Sequence, residues 1–220
     1  MRLFRGAGLT LVGMGLFILY FLFYELVGTS ATVGRDQADL RRTLERQWAG
    51  QTAPTGAGRT SGGAVRSVRP VPNGRPLALL EIPKIGLQRV LVEGADRDAL
   101  RKGPGHISAT ALPGQAGTVG VAGHRTTYGA PFYRLDELAS GDRVLIMTQA
   151  TVFTYTVRRT AIVRPSDTWV LDAAPGRGGQ PKTTVSLVTC NPRYSARQRL
   201  VVFGELTSTV PKDTAASLAA

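Results

Sequence analysis

A chain of 220 residues with 43% hydrophobic side chains can hold one ordinary domain plus extensions, and its 26 glycines and 13 prolines must lie largely outside the core. The formal net charge of +12 divides evenly, with 10 basic against 4 acidic residues over 1–76 and 16 against 10 over 77–206. No basic block interleaves with aromatics and no zinc or helix-turn-helix pattern occurs, so the charge is read as solubility and attraction to an anionic surface, with no nucleic-acid partner.

The first element is GAGLTLVGMGLFILYFLFY, Gly6 to Tyr24, 19 residues without a charge. As a helix it would reach roughly 28 Å, close to a hydrocarbon core of ~30 Å. A cleaved signal peptide carries an apolar region of only about 7–15 residues. The pattern therefore predicts an uncleaved transmembrane helix over 6–28 behind a short N-terminus, 1–5, while TSAT at 29–32 keeps a cleavage site open. Arg2 and Arg5 flank one end and Arg35, Arg41, Arg42 and Arg46 follow the other, so their count does not fix orientation.

Within a juxtamembrane segment, 29–48, the stretch Asp36–Trp48 reads as a short helix with Leu40, Leu44 and Trp48 on one face. It is expected to lie on the membrane surface or to extend the anchor. Residues 49–76 are rich in Gly and Pro and read as a linker, spanning roughly 30 Å if flexible.

From residue 77 to 206 the pattern becomes short strands: 77–82, 89–94, 118–123, 143–148, 151–157, 183–189 and 199–206. In TVFTYTV, residues 151–157, apolar side chains alternate with threonines, as in a half-buried strand. Only 98–102 and 133–138 look like helical turns. Many short strands without alternating helices predict a mainly β domain, a closed β-barrel. Residues 207–220 read as a polar tail.

The only cysteine, Cys190, lies in VSLVTCNPRYSARQRLVVFGEL, where a β run stops at Asn191-Pro192. A lone cysteine is commonly a small buried hydrophobe. At a strand end, however, a side chain can face a rim, where a thiol can act as a nucleophile. That role needs activation: a free thiol ionises near pH ~8.5 and a neighbouring cation lowers this. His106, in GPGHIS, reads as a structural or exposed loop residue. His124 follows the strand 118–123 and can face the same rim, or can be an ordinary hydrogen-bonded loop histidine. A third part would be a fixed cation for a developing oxyanion. Arg193 and Arg197 lie in the loop NPRYSAR, whereas Arg199 opens the next strand and is the better held. One cysteine and two histidines lack ligand spacing, so no metal is expected.

Two stretches carry a family likeness. LVTCNPRYSARQRLVV resembles the sortase active-site signature, with Thr-Cys ending one strand and Arg starting the next. LPGQAGTVGVAGHRTTYGAPFYRLDEL resembles the histidine region of class E sortases. The resemblance implies an eight-stranded sortase-type barrel over 77–206, with His124, Cys190 and Arg199 as the catalytic set. It puts Tyr128 and Thr189 against the substrate and calls for no cofactor. It also implies a catalytic domain outside a Gram-positive membrane. The expected reaction cleaves a sorting signal, Leu-Ala-x-Thr-Gly, between Thr and Gly and passes the acyl group to a peptidoglycan-precursor amine or a pilin lysine. Tyr128 matches the tyrosine tied to that preference, since its phenol can bond the amide that Ala has and Pro lacks. Otherwise it is a plain loop aromatic.

This chain departs from the family at Ser186, where threonine is usual, and at Asn191, where close relatives have histidine. The calcium-binding acidic set of some sortases is not expected, because 161–182 offers only Asp167 and Asp172 against Arg164 and Arg177. Two alternatives stay in view. One is an L,D-transpeptidase, whose His-Gly-x-Cys-x-Arg core is not found here. The other is a catalytically silent tethered barrel that binds wall polyanions.

Overall fold

The computed structural model describes residues 2–24, 29–50, 70–172 and 182–212. Eight strands follow two long helices: β1 (Pro76–Ile82), β2 (Leu87–Glu93), β3 (Gly105–His106), β4 (Gly117–Ala122), β5 (Arg143–Met147), β6 (Thr151–Val163), β7 (Thr183–Asn191) and β8 (Gln198–Pro211). They close into a barrel in the order β1-β2-β3-β4-β7-β8-β6-β5. The β2–β3 and β4–β7 pairs are parallel and the others antiparallel. The predicted barrel is therefore present, with β3 added, and β8 runs to Pro211, into the stretch read as a tail.

Alternation along the strands decides what fills the barrel. On β7, Val185 and Leu187 are fully buried inside with Val119 and Val121 of β4 and Leu200 and Val202 of β8. The intervening Ser186, Val188 and Cys190 therefore face outward. Closure satisfies the strand edges that an open sheet would leave bare.

The helix α1 (Arg2–Phe23) leads into α2 (Thr29–Gly50), longer at both ends than the predicted 36–48 segment. Among the described residues no helix is long and apolar enough to cross a membrane. The position of α2 corrects the expectation of a membrane-surface helix. Its apolar stripe is spent on the barrel: Leu44, 2% exposed, packs with Leu79 and Val90, flanked by Leu40, Trp48 and Met147. Each fully buried aliphatic side chain here contributes about 1.5–3 kcal/mol. Gln37 adds directional bonds. Its amide oxygen accepts from the Val90 N–H (2.7 Å), and its nitrogen donates to the Lys102 (2.7 Å) and Val90 (3.2 Å) carbonyls. One side chain thus completes the open edge of β2. The 49–76 stretch lies largely outside the described residues, but the helix before it is part of the packed domain.

Candidate active site

Cys190 and Arg199 are directly opposed in the β7–β8 ladder. Opposed residues share a face with Cβ atoms roughly 4.5–5.5 Å apart, so thiol and arginine both project from the barrel's outer surface. The Arg199 guanidinium donates to the carbonyls of Ala196 (2.9 Å) and Gln198 (3.0 Å), which fold it over its own loop.

His124 reaches this face through β4. The parallel β4–β7 register runs to Ala122 beside Val188, and the Gly123 N–H extends it by donating to the Val188 carbonyl (3.1 Å). His124 comes two residues after Ala122, just past the end of β4, as Cys190 comes two residues after Val188 on β7. Gly123 is required there, because a Cβ would meet the Phe132 ring at 2.6 Å. The Phe132 N–H also holds the His124 carbonyl at 3.1 Å. His124 is half-buried, and loss of hydration holds its imidazole below the usual value, helped by the Arg101 charge. Its Nε2 is buried without a hydrogen-bond partner. The fold thus favours a neutral imidazole with one nitrogen available for proton transfer.

Tyr128 packs on the His124 ring, centroids 4.9 Å apart, from a turn of left-handed residues: Tyr128 (φ 52°), Gly129 (φ 71°) and Ala130 (φ 42°). Such conformations cost free energy and persist only where neighbours hold them. Here the Ala130 N–H bonds the Thr127 carbonyl (2.9 Å) and Val33 of α2 abuts Gly129. Arg101 also lies over the Tyr128 ring, at 5.7 Å. It comes from α3 (Arg97–Lys102), whose start is capped by Asp96 accepting from the Asp98 and Ala99 amides.

Thr189 does not face substrate. It points into the barrel, 2% exposed, and its hydroxyl donates to the Gly123 carbonyl (2.7 Å), fastening the Cys190 strand to the His124 strand. The residue expected to touch substrate is a tie between strand ends, because alternation puts it opposite Cys190. Ser186 likewise spends its hydroxyl on the Val170 carbonyl (2.7 Å), so its exchange for threonine acts on packing. Its outward face leads to a cavity of about 480 Å³ floored by the stacked rings of Trp169 and Phe203.

Sequence reasoning missed Arg125. This guanidinium, 4% exposed, donates to the carbonyls of Cys190 (3.2 Å) and Tyr133 (3.3 Å) and to Asn191 Oδ1 (3.3 Å), and pairs with Asp136 (3.1 Å). Asp136 also receives Arg193 (2.9 Å), which the sequence reading left to solvent. One buried fork therefore joins the chain beside His124 to the chain at Cys190. The only hint was its place directly after the histidine. His106, by contrast, is structural and buried: Nδ1 lies 2.8 Å from Glu93, and Nε2 faces the Ala111 carbonyl at 3.0 Å. Among the described residues no group of three or more His, Cys, Asp or Glu side chains is placed to hold a metal ion.

The sortase domain model matches residues 80–207. Sortase SrtE1 of Streptomyces coelicolor is 30% identical over 94% of this chain, and the match spans 58% of that relative. Sortase D of Bacillus subtilis is 34% identical over 60% of this chain and 64% of its own length. Thus the chain spans about three-fifths of these two relatives. Among solved structures, sortase E from Streptomyces avermitilis superposes with a TM-score of 0.59 at 36% identity, covering 66% of this chain and 95% of that one. A sortase E1 from Streptomyces coelicolor, solved with a tripeptide in its active site, gives 0.60 at 32% identity over 64% of this chain and 93% of its own. With the barrel, the strand-end cysteine and its opposed arginine in place, this chain belongs to the sortase family.

Proposed function

We propose that this protein is a membrane-anchored cysteine transpeptidase that cleaves Leu-Ala-x-Thr-Gly between Thr and Gly and joins the threonyl group to a cell-wall amine. The observation that carries this reading is the direct opposition of Cys190 and Arg199 in one ladder; His124 follows two residues after Ala122, whose register partner on the Cys190 strand is Val188. Cys190 gives its thiol proton to neutral His124 and its Sγ attacks the threonine carbonyl carbon, while Arg199, swung from its loop carbonyls, donates to the developing oxyanion. The C–N bond breaks, and protonated His124 gives its proton to the departing amine. An incoming amine then attacks the thioester and yields its proton to neutral His124, and Cys190 departs as thiolate. The contact of Tyr128 with His124 supports a role for its phenol in selecting Ala over Pro.

Anchoring rests on the uncharged run Gly6–Tyr24 and on the outward apolar side chains of α1, such as Leu9 (74% exposed) and Phe17 (66%). The outer membrane face is the compartment in which a sorting signal and a wall amine meet. The partners are then secreted proteins bearing the signal and a peptidoglycan-precursor amine, with a pilin lysine as the other acceptor.

The test is turnover of a quenched Leu-Ala-x-Thr-Gly peptide by the full chain in phospholipid nanodiscs, with glycine as acceptor. Cleavage between Thr and Gly is expected, and Cys190→Ala should lower it by more than about 10³-fold. Cleavage that survives in this variant removes the reading.

A further inference from the structure

Arg101 lies against the Tyr128 ring that also packs on the imidazole, and its charge is not paired at hydrogen-bond distance among the described residues. Its Nε is buried without a hydrogen-bond partner. Among the described residues its one carboxylate neighbour is Asp98, at 3.8 Å and itself 86% exposed, too far for a hydrogen bond. The face of Tyr128 offers a cation–π contact, which leaves the N–H donors unused. A buried donor without an acceptor costs free energy unless something outside the fold completes it. The side chain as a whole is 42% exposed, so a ligand can reach its terminal nitrogens.

Two unpartnered groups therefore meet one aromatic ring: His124 Nε2, suited to take a proton, and the Arg101 guanidinium, whose terminal nitrogens are suited to bind an anion. We propose that Arg101 binds the carboxylate of the acyl acceptor, so that the preferred acceptor is an amine carrying a free carboxylate on the same carbon. This rests on the transpeptidase reading above. The carboxylate pairs with the guanidinium and the amine is aimed past Tyr128 at the thioester. The amine nitrogen bonds to the acyl carbon, the C–S bond breaks toward Cys190, and the amine proton passes to His124. The carboxylate undergoes no covalent change. Its arrival also neutralises the charge that depresses His124, which makes the imidazole a stronger base at the step that needs one.

The full chain in nanodiscs is given the sorting peptide with glycine or glycinamide, and with 2,6-diaminopimelate or cadaverine. The quantity compared is kcat/KM for the carboxylated acceptor relative to its partner without the carboxylate. Any general change in His124 acts on both members of a pair and cancels. Arg101→Gln is expected to lower that ratio about five- to tenfold, mainly through acceptor KM, with partial recovery in Arg101→Lys. An unchanged ratio overturns the proposal. So does a change that follows an acidic residue placed at x of the donor, which would assign the carboxylate to the sorting signal. Peptide hydrolysis by wild type, read without acceptor, tests the parent reading separately; its absence removes both.

Discussion

Two arginines bracket His124, and the fold treats them oppositely. Behind the imidazole, Arg125 is buried and engages Cys190, Asn191, Tyr133 and Asp136. In front, Arg101 touches an aromatic face and leaves a buried Nε unused. A guanidinium with four of its five donors engaged fixes distances between chain segments. One whose donors are idle is prepared for a ligand. Burial and charge alone would not separate the two; the accounting of donors does.

The contrast can be broken most forcibly at Arg125. Arg125→Met would remove the bonds to the Cys190 carbonyl and to Asn191 and leave Asp136 and the Tyr133 carbonyl to Arg193 alone, and a loss of about 2–3 kcal/mol is expected, seen as a Tm lower by roughly 4–12 °C. A Tm within a degree of wild type would show that the fork is dispensable. Next comes Gln37, which holds the end of α3 next to Arg101. Gln37→Ala leaves Val90 N–H and the Lys102 carbonyl without this partner and should cost about 1–2 kcal/mol in a denaturant titration. The smallest effect on stability belongs to Arg101→Gln, within about 0.5 kcal/mol at neutral pH. Its signature is electrostatic instead: the His124 ring should titrate higher by NMR, because one of the two causes of its depression is gone. The sign follows for stability also. A histidine held below its unfolded value binds fewer protons when folded, so wild type loses stability as pH falls through about 6.5 toward the folded value. Arg101→Gln should narrow that window, and a His124 titration that does not move would dissolve the contrast.

The three residues proposed to carry the chemistry were legible because each sits where a strand pattern ends, and strand ends can be read from local alternation. The barrel class was legible for the same reason. The parallel β4–β7 pairing that brings His124 to Cys190 joins residues 66 apart, and no local pattern carries it. The apolar stripe of α2 was visible in Leu40, Leu44 and Trp48, but an amphipathic helix does not state which surface it covers. Leu79 and Val90 supplied that surface. Thr189 was misplaced by one step of alternation, since a motif names neighbours without naming faces. Arg101 and Arg125 were passed over because a surface arginine and a buried one look alike until their acceptors are counted.

The docking of α2 bears on where the enzyme can work. With α1 ending at Phe23 and α2 starting at Thr29, the connecting backbone spans at most roughly 20 Å however it runs. Because α2 is welded to the barrel, that short bridge, and not the later Gly/Pro stretch, sets the leash. If α1 lies in the bilayer, that bridge keeps the N-terminal end of α2, and the Gly129 turn against which its Val33 packs, near the lipid headgroups.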